Sequence, residues 1–340
     1  DFLSLEISVP QNDWLSKSFK DNGFGNITST SQLRIESSQR EFFRVKSKQN
    51  SLILMVVPAG IDESVSLFVS KGKFLKKNKV NVPEIFSYDE SLGLILVEDF
   101  GDTLYQFNLE DSPDLYYEQA IDELIKIQSS DKDDIFFKSL NKEIFIMNWE
   151  LFEKNFYKNF LAMSDDKILN EIKKNYDLVC NQLETQPKVV CHYDYECRNL
   201  IFTSTKKAGI LDFQDALIGP IGLDLASLFK DLYYDWSEEK IHSWYRTYIT
   251  KAKKKLGLEL SFELLVKFID FASIQRQIRI LGKLSQVYQQ LDRRERIKDF
   301  PRLLNYLVET SSRYAELKNM TFAISSLQDT LNKKMDKIFS

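Results

Sequence analysis

A cluster of polar side chains crowds one short stretch of an otherwise apolar run. Val189, Val190 and Cys191 lead into His192, Asp194, Arg198 and Asn199, and then Leu200, Ile201 and Phe202 resume the apolar pattern. Thirteen positions after Asn199 stands Asp212, in Leu211-Asp212-Phe213. Residues 199–202 and 208–213 read as a short hairpin joined by a polar turn. Folding back in this way would bring an amide oxygen and a carboxylate side by side. Two hard oxygen donors of that kind suit magnesium when a nucleotide's phosphates complete the octahedron. Asp194 could then accept a proton from an incoming hydroxyl. Singly, each of these residues is as easily a turn or cap residue; the spacing of the whole set is what points to chemistry.

The neighbours of this set read as support. His192 has the intrinsic pKa of a catalytic base, but in this layout it reads rather as a prop for the loop backbone. Asp224, in Gly219-Pro220-Ile221-Gly222-Leu223-Asp224, either touches the same loop or caps the helix that follows. Cys191 and Cys197 read as packing thiols.

The elements that must position these residues change character along the chain. The first hundred residues alternate: a strand over 31–36, a second over 41–48, and a third over 51–57 that is apolar throughout and therefore central. A helix spans 63–80, ended by Asn81 and Pro83, and two more strands follow, joined by a turn near 91–93. From Leu109 to Gln186, and again from about Leu223 to the end, the pattern is helical. The expected fold class is α+β and bilobal. A small antiparallel-sheet lobe with one helix covers 1–99, and a larger, mostly helical lobe with the catalytic hairpin covers 100–340, with a cleft between them. The last thirty or so residues form an amphipathic helix that packs on the helical lobe or pairs with another subunit.

Bulk composition narrows the class. The 340 residues carry a formal charge of −4, so no basic field invites nucleic acid. Lys76-Lys77-Asn78-Lys79 and Lys253-Lys254-Lys255 are local solvated faces. Three cysteines give no disulfide framework and no zinc spacing, which suits a reducing cytoplasm. No apolar run is long enough to cross a bilayer, and the first residues lack the basic start of a signal peptide.

The pattern H-x-D-x-x-x-x-N … D-F matches the catalytic loop and metal-binding segment of protein-kinase-like enzymes. Together with "SSQREFFRV", "LILMVVP", "NVPEIFSYDESLGLILVEDFGD", "GILDFQDALIGPIGLDLASLFKD" and "IQRQIRILGKL", it resembles the aminoglycoside phosphotransferase and choline kinase superfamily across about 35–310. Within that superfamily it is most similar to the branch of anomeric N-acetylmuramate/N-acetylglucosamine kinases. The resemblance implies a protein-kinase-like fold, ATP and Mg2+ as cofactors, Asp194 as catalytic base, and Asn199 and Asp212 as metal ligands. It implies that Ser37, Ser38, Gln39 and Arg40 lie over the nucleotide phosphates and that Glu98, Asp99 and Phe100 offer backbone groups to adenine. It gives Arg198 and Asp215 to the acceptor or the loop, sets Gln275, Arg276 and Arg279 within about one helical turn on the substrate side, and lets Arg279 or Arg276 grip a carboxylate or phosphate. For either arginine alone a solvated helix face is at least as good a reading.

Two departures stand out. The third strand carries Met55 where protein kinases place a lysine, so Arg40 or Arg44 would have to offset phosphate charge. The segment 37–41 also has no glycine. The leading reading is a small-molecule kinase that phosphorylates a hydroxyl, first of all the anomeric hydroxyl of an amino sugar in cell-wall recycling. Aminoglycosides, choline-like alcohols or other metabolites are alternative acceptors. A nucleotide-binding scaffold without turnover is the reading from another class; Met55 argues for it, and the intact Asp194, Asn199 and Asp212 argue against it. The expected partner is a small molecule, with no nucleic acid and no membrane, acting as a monomer or weak dimer.

Overall fold

In the computed structural model the described residues are 7–33, 40–58, 65–132, 135 and 137–340. Ser37, Ser38, Gln39 and Glu63 lie outside them. The chain divides into two compact units, Asp1–Phe136 with Cys197–Ala216, and Phe137–Glu196 with Leu217–Ser340.

The first unit is built on a five-stranded antiparallel sheet. Its strands are β1 (Ile27–Gln32), β2 (Glu41–Ser47), β3 (Ser51–Val56), β4 (Ile85–Asp89) and β5 (Leu94–Glu98), in the order β1-β2-β3-β5-β4. β3 sits in the middle, and its unbroken apolar run follows from being covered on both faces. Leu52, Leu54 and Val56 join Phe43, Val45, Leu94 and Leu96 on one face, against Leu15 and Phe19 of helix α1 (Val9–Asp21). Met55, Ile95 and Val97 line the other, against Val65 and Val69 of helix α2 (Val65–Lys77).

The sequence reading missed α1 and placed the first strand four residues late. The signal for the helix is a capping box, Ser8 with Gln11, and a proline in the first turn. The short helix α3 (Tyr105–Asn108), helix α4 (Pro113–Gln128) and the hairpin of β7 (Leu200–Phe202) and β8 (Ala208–Ile210) complete this unit.

The second unit is helical around one small ribbon. Strand β6 (Lys188–Cys191) pairs antiparallel with β9 (Leu217–Pro220), and helix α7 (Gly222–Phe229) follows at once. The remaining helices are α5 (Lys142–Leu151), α6 (Asp166–Thr185), α8 (Glu238–Leu256), α9 (Phe262–Leu291), α10 (Phe300–Ser312), α11 (Lys318–Ser325) and α12 (Gln328–Phe339). A π-helical stretch, Phe152–Phe160, continues α5. Thirty-residue α9 is the central post, and every residue from Ile269 to Arg279 is buried. Gly282 lets it cross the π-helical stretch closely, since a Cβ there would meet the Phe152 nitrogen at 2.5 Å. Among the described residues no helix is long and apolar enough to cross a membrane. The fold class is α+β, with an antiparallel sheet and a helical majority.

Candidate active site

In the first unit the hairpin sets Asn199 and Asp212 at its open end. Leu200 faces Ile210 across the ladder, and the next rung is the Leu211 N–H donating to the Asn199 carbonyl at 3.0 Å. Asn199 and Asp212 therefore flank the same paired end. Asp212 takes a left-handed backbone, φ 57° and ψ 40°, which costs a non-glycine residue energy and must be held by its surroundings. Two things hold it. The Gln214 amide donates to Asp212 Oδ1, and the Phe213 ring stacks on Phe68 of α2 at 4.7 Å. The Asp212 side chain stays 45% exposed. A half-open carboxylate on the hairpin end that also carries Asn199 suits a magnesium ion, which needs one or two protein ligands when phosphates supply the rest. Among the described residues no three His, Cys, Asp or Glu side chains gather as a metal cage; a nucleotide-bound magnesium does not require one.

In the second unit the loop expected to hold the base leaves β6 through His192, Tyr193 and Asp194. Tyr193 also has a positive φ, 82°. Asp224, wholly buried at the start of α7, anchors the turn by accepting the His192 N–H at 2.6 Å and the Tyr193 N–H at 2.9 Å. Burial pushes this carboxyl up to about 6, against the opposing pull of His192 and the two N–H donors. The buried ring of His192 packs edge-on to Tyr195.

Helix α9 meets this loop with two arginines one turn apart. Arg279 Nη2 donates to Asp194 Oδ1 at 2.8 Å and to the Tyr193 carbonyl at 3.4 Å, and its guanidinium lies 3.9 Å from the Tyr193 ring centre. Arg276 Nη2 binds Glu196 at 2.6 Å, both side chains being almost fully buried. Burial raises the Asp194 pKa, but Arg279, Lys283 and Arg276 outweigh it and hold the carboxyl at about 2. The sequence reading gave Gln275, Arg276 and Arg279 to the acceptor. Gln275 is wholly buried and faces the Tyr176 hydroxyl, while both arginines meet the loop's own carboxylates. A solvated helix face is excluded for both arginines by their burial.

The residues expected around the nucleotide lie in the first unit. Met55 is a core residue, 2% exposed, packed with Val65, Val69, Ile95 and Val97. Asp99 is engaged through its side chain: Arg44 grips it from Nε at 2.7 Å and Nη2 at 3.1 Å, and Ser51 and the Gly101 N–H add two more hydrogen bonds. Burial opposes ionisation of Asp99, and these donors more than offset it, leaving its pKa below the usual value. Arg44 also pairs with Asp102, so its charge is already matched. Buried Arg40 instead lies 3.6 Å from Asp212 Oδ1, with Asp215 adding to the local negative field. Glu98 accepts the Glu84 N–H at 3.1 Å, and the Phe100 ring packs on Gly209 of the hairpin. Arg198 and Asp215 sit in the single turns flanking the hairpin, Arg198 half-buried and Asp215 exposed.

Sequence reasoning overlooked two residues here. Lys71 of α2, 5% exposed, donates to the Gln214 carbonyl at 2.5 Å and the Ala216 carbonyl at 2.9 Å. Tyr193 provides the aromatic platform for Arg279. An apolar helix face interrupted by a single lysine was the available sign for Lys71; nothing in the sequence marked Tyr193.

Comparison with known proteins places this geometry. The model of the phosphotransferase enzyme family matches residues 29–257. An N-acetylmuramate/N-acetylglucosamine kinase of Pseudomonas putida is 28% identical over 333 residues, covering 96% of this chain and 97% of that protein. One from Neisseria meningitidis is 27% identical over 320 residues, covering 92% and 93%. Among solved structures, a choline kinase from Streptococcus pneumoniae superposes with a TM-score of 0.65 at 13% identity, covering 88% of this chain and 99% of that one. An ADP-bound aminoglycoside phosphotransferase gives 0.63 at 19% identity, covering 89% and 99%. These structures share the fold.

Proposed function

The chain belongs to the phosphotransferase enzyme family, and on that premise we propose that it is an ATP- and magnesium-dependent kinase of amino sugars, transferring the γ-phosphoryl group to the anomeric hydroxyl of N-acetylmuramate or N-acetylglucosamine. The observation that carries the acceptor class is the similarity, over more than nine-tenths of the chain, to proteins named for those two sugars.

In this reading the ionised Asp194 accepts a hydrogen bond from the acceptor hydroxyl and aims its oxygen at the γ-phosphorus. The O–H proton passes to the Asp194 carboxylate as the new O–P bond forms and the bond to ADP breaks. A carboxylate with a pKa of about 2 is a weak base, so orientation dominates and the proton moves late. An anomeric hydroxyl is more acidic than an ordinary alcohol and makes this easier. Asn199 and Asp212 would hold magnesium, which would neutralise charge on the triphosphate. Asp224 and Arg279 support the base through backbone and side chain respectively. Ser37, Ser38, Gln39 and Arg40 are assigned to the phosphates, and Met55 and Glu98 to Phe100 to the walls and edge of the adenine site. Arg198 and Asp215 remain assigned to the acceptor side. The nucleotide part of the site is assigned to 1–99 and the catalytic part to 100–340.

The test is ATP consumption with N-acetylmuramate, N-acetylglucosamine, choline and an aminoglycoside as acceptors, with the product phosphate located by phosphorus NMR. Turnover with either sugar and a phosphate on the anomeric carbon is the expected result. Turnover confined to choline or the aminoglycoside would reject the acceptor assignment.

A further inference from the structure

Protein kinases tie the third strand to the helix beside it through a lysine–glutamate pair that must be in place for activity. Here the strand carries Met55 and the helix carries the cation. Three residues on one face of α2 meet the turn that follows β8. Phe68 stacks on Phe213. Lys71 donates to the carbonyls of Gln214 and Ala216. Gly72 makes room, since a Cβ there would sit 3.1 Å from the Phe213 ring and 2.8 Å from Ile85. The spacing i, i+3, i+4 is one helical stripe. The turn it grips contains Asp212 in its left-handed backbone, and Gln214, whose carbonyl Lys71 holds, donates its side-chain amide to Asp212 Oδ1.

We propose that Lys71 is a positioning residue for the metal-holding turn 212–216, its buried ammonium replacing the strand-lysine–helix-glutamate pair as the polar tie between helix and site. The proposal rests on the reading of Asp212 as a magnesium ligand. It also explains why Met55 strands no acidic partner on α2: the helix offers a cation to backbone carbonyls instead of an acid to a lysine. Taking the ammonium away leaves two buried carbonyls without their donor, which costs stability whether or not the lysine serves the site. Only a readout of metal affinity separates the two roles.

The experiment is a thermal-shift titration of the full chain with magnesium at a fixed concentration of a non-hydrolysable ATP analogue, for wild type and Lys71→Met. Groups that hold a metal's ligands in place typically contribute about 10–100-fold in affinity, so half-saturating magnesium should rise at least about tenfold in Lys71→Met, whatever happens to the midpoint without ligand. An unchanged half-saturation point overturns the proposal, even with a lowered melting temperature. If Lys71→Met does not yield folded protein, Lys71→Leu, which likewise lacks a donor, decides by the same criterion. Absence of any magnesium-dependent stabilisation in the wild type would instead remove the metal reading of Asp212, and this proposal with it.

Discussion

Arg279 reaches across 85 positions of sequence to place its Nη2 2.8 Å from Oδ1 of Asp194. The same nitrogen contacts the Tyr193 carbonyl, and the guanidinium plane covers the Tyr193 ring. One side chain thus fixes both the carboxylate and the strained residue that delivers it. Arg276, one turn earlier, does the equivalent for Glu196.

Arg279→Met should lower kcat by about 100-fold, the scale expected when a reacting group is misplaced by about an ångström, with little change in nucleotide KM. The pH profile separates positioning from general damage. Among the groups facing Asp194 are Arg279, Lys283 and Arg276 on α9 and Asp224 on α7. In the wild type the carboxyl stays ionised down to about pH 2. Losing Arg279 moves that pKa upward, so an acid limb in kcat should enter from the low-pH side. By the same sign, Asp194's contribution to stability is present above its unfolded value and is lost as pH falls through about 2. An unshifted profile in Arg279→Met would disconnect the arginine from the base.

Asp194→Asn keeps the shape and removes the proton acceptor. General-base groups contribute roughly 100- to 10,000-fold, and kcat should fall within that range. Stabilisation by ATP and magnesium should survive, as read by thermal shift. Near-normal turnover would move the base elsewhere.

Asp224 makes the opposite prediction for stability. Its folded pKa is raised to about 6, so the folded state holds a proton that the unfolded state releases. This contribution is complete below the ordinary carboxyl value and is lost as pH rises through about 6. Asp224→Asn abolishes the titration. The difference in melting temperature between wild type and Asp224→Asn should therefore shift in the variant's favour between about pH 4 and 6. A difference flat with pH would mean that Asp224 does not titrate there.

Restoring a kinase-like lysine at position 55 should damage the protein. Met55 is 2% exposed among Val65, Val69, Ile95 and Val97, and an unpaired ammonium there costs several kcal/mol. Met55→Lys should lower Tm by roughly 5 °C or more without raising kcat. Faster turnover in this variant would show that the strand position still wants a cation.

Much of the site was legible because its signals are local. The hairpin follows from alternation and turn residues within fifteen positions, and its end brings Asn199 and Asp212 together. β3 announced its central place by being apolar on both faces. Gln275, Arg276 and Arg279 were legible as a cluster but not in their contacts, because helical spacing cannot say whether an arginine faces a ligand or a carboxylate in its own chain. Lys71 showed only as an interruption of an apolar helix face, and its role stayed hidden for a related reason: its acceptors are backbone carbonyls, which carry no residue identity. β9 and its pairing with β6 depend on a return of the chain after the hairpin, and no nearby pattern encodes that distance.

The helix that holds the Asp194 carboxylate lies far downstream in the chain. A ribosome must therefore pass residue 279 before Asp194 acquires its guanidinium partner. A polypeptide that ends before residue 279, even with its sheet and hairpin already folded, would carry an Asp194 carboxylate without that partner.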